Sequence, residues 1–135
     1  APDELVLVTR PGGRYARTES LTCEQLLSTP LVLRENGSGT LEVISAALAA
    51  KGIRLSQLDV VMRLGTTEGI KGFVRNSDVL AIVSVTSVVD ELRSGALRII
   101  DIEGLTLSRD FNFVHAEAEP ARLVRQFVDF ARANR

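Results

Sequence analysis

The residue types and spacings in this chain that could do chemistry suit it to hold a small anion, not to transform one. Two joints share one design. Pro30-Leu-Val-Leu33 runs into Arg34-Glu-Asn-Gly-Ser-Gly-Thr40 and then a helical run from Leu41; Val60-Val-Met-Arg-Leu64 runs into Gly65-Thr-Thr67 and a helical run from Glu68. An apolar strand, a tight turn of glycine and hydroxyl residues and a helix start leave backbone N–H groups without intrahelical acceptors at a positively polarised terminus. Such a turn can hold an anion or a carboxylate. In an open α/β sheet it lies beyond the carboxyl end of its strand, where ligands bind. Ser38, Gly39 and Thr40 in the first turn, and Thr66 and Thr67 in the second, are therefore the candidate binding residues. Each turn also has a purely structural role. Ser38 or Thr40 is expected to cap the first helix, and one of the two threonines the second, freeing the other hydroxyl to face the sheet edge.

Catalytic constellations are missing from the sequence. His115 is the lone histidine, near a strand end, with no Ser or Cys nucleophile to pair with it. Cys23 falls in the first turn of a short helix, which favours a thiolate only mildly, and a structural role fits it better. No His/Cys/Asp/Glu spacing points to a metal, and the carboxylates are too scattered to nominate an acid/base pair. No Lys follows Gly37-Ser-Gly-Thr40, so this is not a nucleotide P-loop, and there is no dinucleotide fingerprint. The reading is a binding domain without enzymatic activity and without a cofactor.

The elements that must position the two turns follow from pattern. Glu4-Leu-Val-Leu-Val-Thr9 is a strand closed by Pro11-Gly-Gly13. Arg14 to Ser20 reads as a polar loop. Thr22-Cys-Glu-Gln25 matches a capping box, with Leu21 and Leu26 placed as a hydrophobic staple, opening a helix of about two turns before Pro30. Leu41, Ile44, Ala47 and Leu48 keep helical spacing up to Gly52 at a C′ position. Asp59–Leu64 is a strand, Ile70, Phe73 and Val74 mark a helix ending near Asn76 in a left-handed cap, and Val79–Val83 is a short apolar strand. Val88, Val89 and Leu92 give a helix stopping at Gly95. Leu97–Asp101 and Phe111–Val114 are strands, and Leu123, Phe127 and Phe130 mark a closing helix after Pro120. Unbroken apolar strands alternating with helices predict an α/β fold, a mostly parallel sheet with helices on both faces. The end strands near Leu5 and Phe113 have no place in that alternation and are expected to flank it, pairing with each other.

At 135 residues the chain is one domain by length. Hydrophobic residues make up 45% and charged ones 24%, which fits a folded core and not a disordered segment. A net charge of −1 provides no basic face for nucleic acid. No apolar run is long enough to span a membrane, and no signal peptide is read before Ala1, which the mature product of a cleaved, exported precursor would match equally. One cysteine rules out an internal disulfide and fits a reducing compartment.

The serial order of these segments resembles the effector-binding domain of LysR-type transcriptional regulators. The carriers are Asp3-Glu-Leu-Val-Leu-Val-Thr-Arg-Pro-Gly12, the turn sequence from Pro30 to Thr40, Leu64-Gly-Thr-Thr-Glu-Gly-Ile-Lys-Gly-Phe-Val74, Leu80-Ala-Ile-Val-Ser84, Asp90-Glu-Leu-Arg-Ser-Gly-Ala-Leu97 and Arg109-Asp-Phe-Asn-Phe-Val-His115. The resemblance implies two lobes like those of type II periplasmic binding proteins, with an effector, often an anion or carboxylate, in the cleft between them. Residues of about 10–107 correspond to the second lobe. Residues 1–9 and 108–135 correspond to crossing strands and a terminal helix belonging to the first, most of which would precede Ala1. It also implies a cytoplasmic regulator that reaches promoter DNA through an N-terminal winged helix-turn-helix domain absent from this chain. The full-length protein would be a tetramer. In this piece the helix carrying Leu123, Phe127 and Phe130 lacks its usual sheet, so a lobe–lobe or domain-swapped dimer is expected. Ser38, Gly39 and Thr40 match a cleft-lining position, and Thr66 and Thr67 match a position whose hydroxyl contacts effectors in some members. With one cleft wall missing, effector binding should be weak. The sequence is more similar to regulators with sulfur or inorganic-anion themes than to aromatic-acid sensors. A solute-binding protein for uptake, with the same lobe fold, is the alternative.

Overall fold

The structure is a computed structural model and describes residues 4–35 and 39–108. Ser38, His115, the strand at 111–114 and the closing helix with Leu123, Phe127 and Phe130 lie outside the described residues.

Among the described residues seven strands form one sheet: β1 (Glu4–Thr9), β2 (Ser20–Leu21), β3 (Leu31–Arg34), β4 (Val60–Leu64), β5 (Leu80–Ser84), β6 (Arg98–Ile102) and β7 (Leu107–Ser108). Among the described residues four α-helices accompany them: α1 (Cys23–Leu26), α2 (Thr40–Ala49), α3 (Thr67–Arg75) and α4 (Val89–Ser94). The spatial order is β2-β6-β1-β5-β3-β4, with β7 also on β1. The β3–β4, β3–β5 and β2–β6 pairs are parallel, and β1 is antiparallel to β5, β6 and β7. Every strand but β1 therefore runs the same way, which is the expected mostly parallel sheet.

The position of β1 corrects the sequence reading. It does not flank the alternating unit but sits at the centre of the sheet, with Val6 against Val83 on one side and Leu7 against Ile100 on the other. The physical cause is in its own residues. Leu5 and Leu7 belong to one core cluster and Val6 and Val8 to the other, so both faces of the strand must be covered. β2 and β7 are two-residue strands without a sequence signal. Between β6 and β7 the chain leaves the sheet at residues 103–106 and returns to pair Leu107 with Leu5.

Two apolar layers sandwich the sheet. One packs Leu5, Leu7, Leu31, Leu33 and Ile82 under α1 and α2 through Leu26, Ile44 and Leu48. The other packs Val6, Val32, Ala81 and Val83 under α3 and α4 through Ile70, Val74 and Leu92. Leu31, Val32 and Leu33 are fully buried, and removing each such side chain from water contributes about 1.5–3 kcal/mol. The longer helices follow the apolar spacing, but α1 is one turn, Cys23–Leu26, where about two were expected, with the Ser28 and Thr29 hydroxyls donating to Gln25 O just after it. The Thr22–Gln25 capping box is reciprocal, with Gln25 N–H donating to Thr22 Oγ1 at 3.0 Å and Thr22 N–H to Gln25 Oε1 at 2.9 Å. Gly95 ends α4 with φ +84°. Asn76 caps α3 but at φ −115°, not left-handed; its Nδ2 donates instead to Gly72 O at 2.7 Å.

Candidate functional site

The carboxyl ends of β4, β3 and β5 lie side by side on one rim of the sheet, because these three strands are parallel neighbours. The two turns picked out from sequence both open there. Their roots are joined directly, since Glu35 N–H donates to Leu64 O at 3.0 Å. From this rim the helices diverge. β3 leads into α2 on the first apolar layer, whereas β4 leads into α3 and β5 into α4 on the opposite layer. The strand order also reverses here, since the chain passes from β3 outward to β4 and then back across β3 to β5. This is a topological switch point, where the diverging connections leave a crevice at the carboxyl ends of the strands.

The α2 turn departs from the expected capping. Its N-cap is Gly39 at φ +83°, a backbone that glycine adopts without the Cβ penalty, and no side chain caps the helix. Thr40 is the first helical residue and is buried, so it is not the cap. The α3 turn divides its two threonines between roles. Thr66 is the cap, its Oγ1 accepting from Gly69 N–H at 3.0 Å. Thr67, the first helical residue, accepts instead from Arg34 Nη1 at 3.4 Å. Each hydroxyl keeps a proton to donate. Gly65 lies against Glu35: a Cβ there would stand 3.1 Å from Glu35 Oε1. The structure thus brings Gly39, Thr40, Thr66 and Thr67 to one rim, while Ser38 lies outside the described residues.

Two groups at this rim went unrecognised in the sequence. Arg34 ends an otherwise apolar strand and reaches Thr67 on the neighbouring elbow; a charge closing an apolar run was the available signal. Ser84 and Thr86 follow β5, their hydroxyls 2.9 Å apart. Only knowledge that β5 borders β3 would have drawn attention to them.

One turn beyond Thr67, Lys71 is buried on α3 and tied to Glu68 Oε2 at 3.0 Å and to Glu91 Oε2 of α4 at 3.2 Å. Desolvation pulls its pKa down, but hydrogen bonds and charge attraction from Glu68 and Glu91 outweigh it, leaving a net upward shift. At the opposite rim Asp78 accepts from Arg10 Nη2 at 2.6 Å and from Arg14 N–H at 3.1 Å. Those hydrogen bonds hold its carboxyl below the usual range.

Two other concavities compete as binding places. A cavity of about 50 Å³ under the 103–106 excursion, lined by Leu5, Leu7, Ile100 and Leu107, has room for little more than water. An open groove of about 420 Å³ at Ser20, Asp101, Glu103 and Thr106 is large enough for a small molecule, but its acidic lining repels an anion. Neither touches the two turns. Among the described residues no group of three His, Cys, Asp or Glu side chains could hold a metal, and no helix is long and apolar enough to cross a membrane.

The model of the LysR substrate binding domain matches residues 1–135. The chain belongs to that family. A protein of Anaeromyxobacter dehalogenans named phosphonates import ATP-binding protein PhnC is 36% identical over 134 residues, covering 98% of this chain and 27% of that protein. The HTH-type transcriptional regulator YeiE of Escherichia coli is 32% identical over 129 residues, covering 95% of this chain and 43% of the regulator. The chain thus spans less than half the length of these relatives. Among solved structures, the regulatory domain of Synechocystis CcmR in complex with 2-PG superposes with a TM-score of 0.65 at 20% identity, over 98% of this chain and 62% of that one. The effector-binding domain of QuiR in complex with shikimate gives 0.61 at 18%, over 96% and 60%. These likenesses establish the shared fold. LysR-type domains are ligand-binding modules and not a catalytic family.

Proposed function

We propose that this chain is the effector-sensing part of a bacterial LysR-type regulator and holds a small carboxylate or other oxyanion in the crevice at the carboxyl ends of β3 and β4. The observation that carries the reading is the convergence of two hydroxyl-and-glycine elbows on one rim at a switch point, one leading into a helix with no side-chain cap. Gly39, Thr40, Thr66 and Thr67 line that crevice. Two neighbours of the same fold were solved with small molecules, 2-PG and shikimate.

The chain binds its effector without transforming it. In the whole protein, the effector acts by favouring one arrangement of a second lobe over another, since only differential affinity can shift a conformational equilibrium. Promoter DNA is reached through a helix-turn-helix domain elsewhere in the polypeptide, in a cytoplasmic homo-oligomer. An uptake protein would use the same lobe, but the matches to HTH-type regulators favour sensing.

The test is equilibrium binding of a panel of small carboxylates and their neutral amides. Carboxylates should bind, weakly for this chain alone. Thr67→Val should weaken them roughly three- to tenfold, the loss of one hydrogen bond. Equal binding of amides, or indifference to Thr67→Val, overturns the reading.

A further inference from the structure

Arg34 is the last residue of β3, the strand whose own helix leaves on one face while both parallel neighbours send theirs to the other. It therefore stands in the middle of the crevice. Val32 packs in the layer under α3, and alternation along the strand sends the Arg34 side chain to that same face. Nη1 reaches Thr67 Oγ1 at a long 3.4 Å. Nε is shielded from solvent with no hydrogen-bond partner among the described residues. No carboxylate of the described residues comes within ion-pair distance of Arg34; the described ion pairs belong to Arg10 and Lys71.

A guanidinium stays charged at all accessible pH values, and a shielded N–H without an acceptor is costly. The surrounding charges do not settle the matter: Glu35 stands over Gly65, Arg63 is on β4, and Glu68 is engaged with Lys71. What fits the place is an acceptor from outside the chain with two oxygens on one centre, matching the guanidinium fork.

We infer that Arg34 is the charge-reading residue of the crevice, binding the carboxylate or phosphate group of the effector while Thr67 holds the guanidinium in position. This deepens the proposed function and rests on it. The effector would accordingly carry an oxyanion group at one end, and neutral analogues would be rejected.

The test uses sodium acetate and inorganic phosphate as probes, with sodium chloride at matched ionic strength and neutral acetamide as controls. A ligand that binds only the folded state stabilises it by RT times the natural logarithm of one plus its concentration over Kd, so the Tm gained at a given concentration reports its affinity. The wild-type chain should gain Tm with acetate or phosphate, growing with the logarithm of their concentration above Kd, and not with the controls. Arg34→Met should weaken the apparent affinity about tenfold or more, Arg34→Lys should restore part of it, and Arg14→Met on the far rim should change nothing. In the wild-type chain, the Arg34 Nε–Hε NMR signal should move with the same titration curve, a readout that does not depend on any variant folding. If the anions act but neither Arg34→Met nor the Nε signal responds, the Arg34 assignment falls and the binding crevice stands. If no anion acts on the wild type, the proposed function itself falls.

Discussion

Thr66 and Thr67 are adjacent and chemically identical, yet the backbone gives them different work. Thr66 has extended backbone and turns its oxygen onto Gly69 N–H. Thr66→Ala should therefore destabilise the fold by about 1 kcal/mol, the cost of a lost cap, with Thr66→Ser nearly neutral in chemical denaturation. Lys71 is the costlier residue. Truncating it leaves Glu91, whose Oε1 is already shielded without a partner, as a partly buried carboxylate lacking its countercharge. Lys71→Met should cost about 2–4 kcal/mol, and adding Glu91→Leu should recover most of it, read as a double-mutant cycle. Because its pKa is raised, the stability it contributes is complete below its unfolded value near 10.5 and is lost only as pH rises through the higher folded value. Asp78 works with the opposite sign. Its pKa is lowered from 3.8, so its contribution is present above that value and disappears as pH falls through the lower folded one. Asp78→Asn should flatten the dependence of Tm on pH in the acid range while leaving its slope at neutral pH unchanged.

Element by element, apolar period was the legible signal and pairing partners were not. Ile70, Phe73 and Val74 announced α3 because a helix must bury one stripe, and Thr22–Gln25 announced α1 because the box satisfies two amides reciprocally. Lys71 was illegible: what buries it is α4, twenty residues on, through Glu91. β1 was misplaced for a related reason. Its unbroken apolar run signalled an interior strand, but no local pattern says which strands flank it. β4 shows the converse. It is an edge of the sheet, and Val61 and Met62 are 48% and 39% exposed, the large exposed hydrophobics of the described residues. An exposed apolar edge favours strand pairing with another chain. Val61→Lys should leave stability within about 0.5 kcal/mol and reduce concentration-dependent association in sedimentation velocity. Unchanged association would place the sticky surface elsewhere.

For the molecule as a whole, the two elbows were legible because glycine and hydroxyl residues between an apolar strand and a helix are a local pattern. Their convergence was not, since it depends on β4, β3 and β5 being parallel neighbours in that order. The same order puts Arg34 between the elbows and brings Ser84 and Thr86 to the rim, none of which the sequence reading offered as a binding residue. Whether that rim is where an effector is sensed is tested most directly by ¹⁵N–¹H chemical-shift mapping of the chain during a carboxylate titration. The amides of Gly39, Thr40, Thr66 and Thr67 should move together and saturate with one dissociation constant, while Ser20 and Glu103 in the acidic groove stay fixed. Saturable shifts gathered around Ser20 and Glu103, with the rim amides unmoved, would contradict the account.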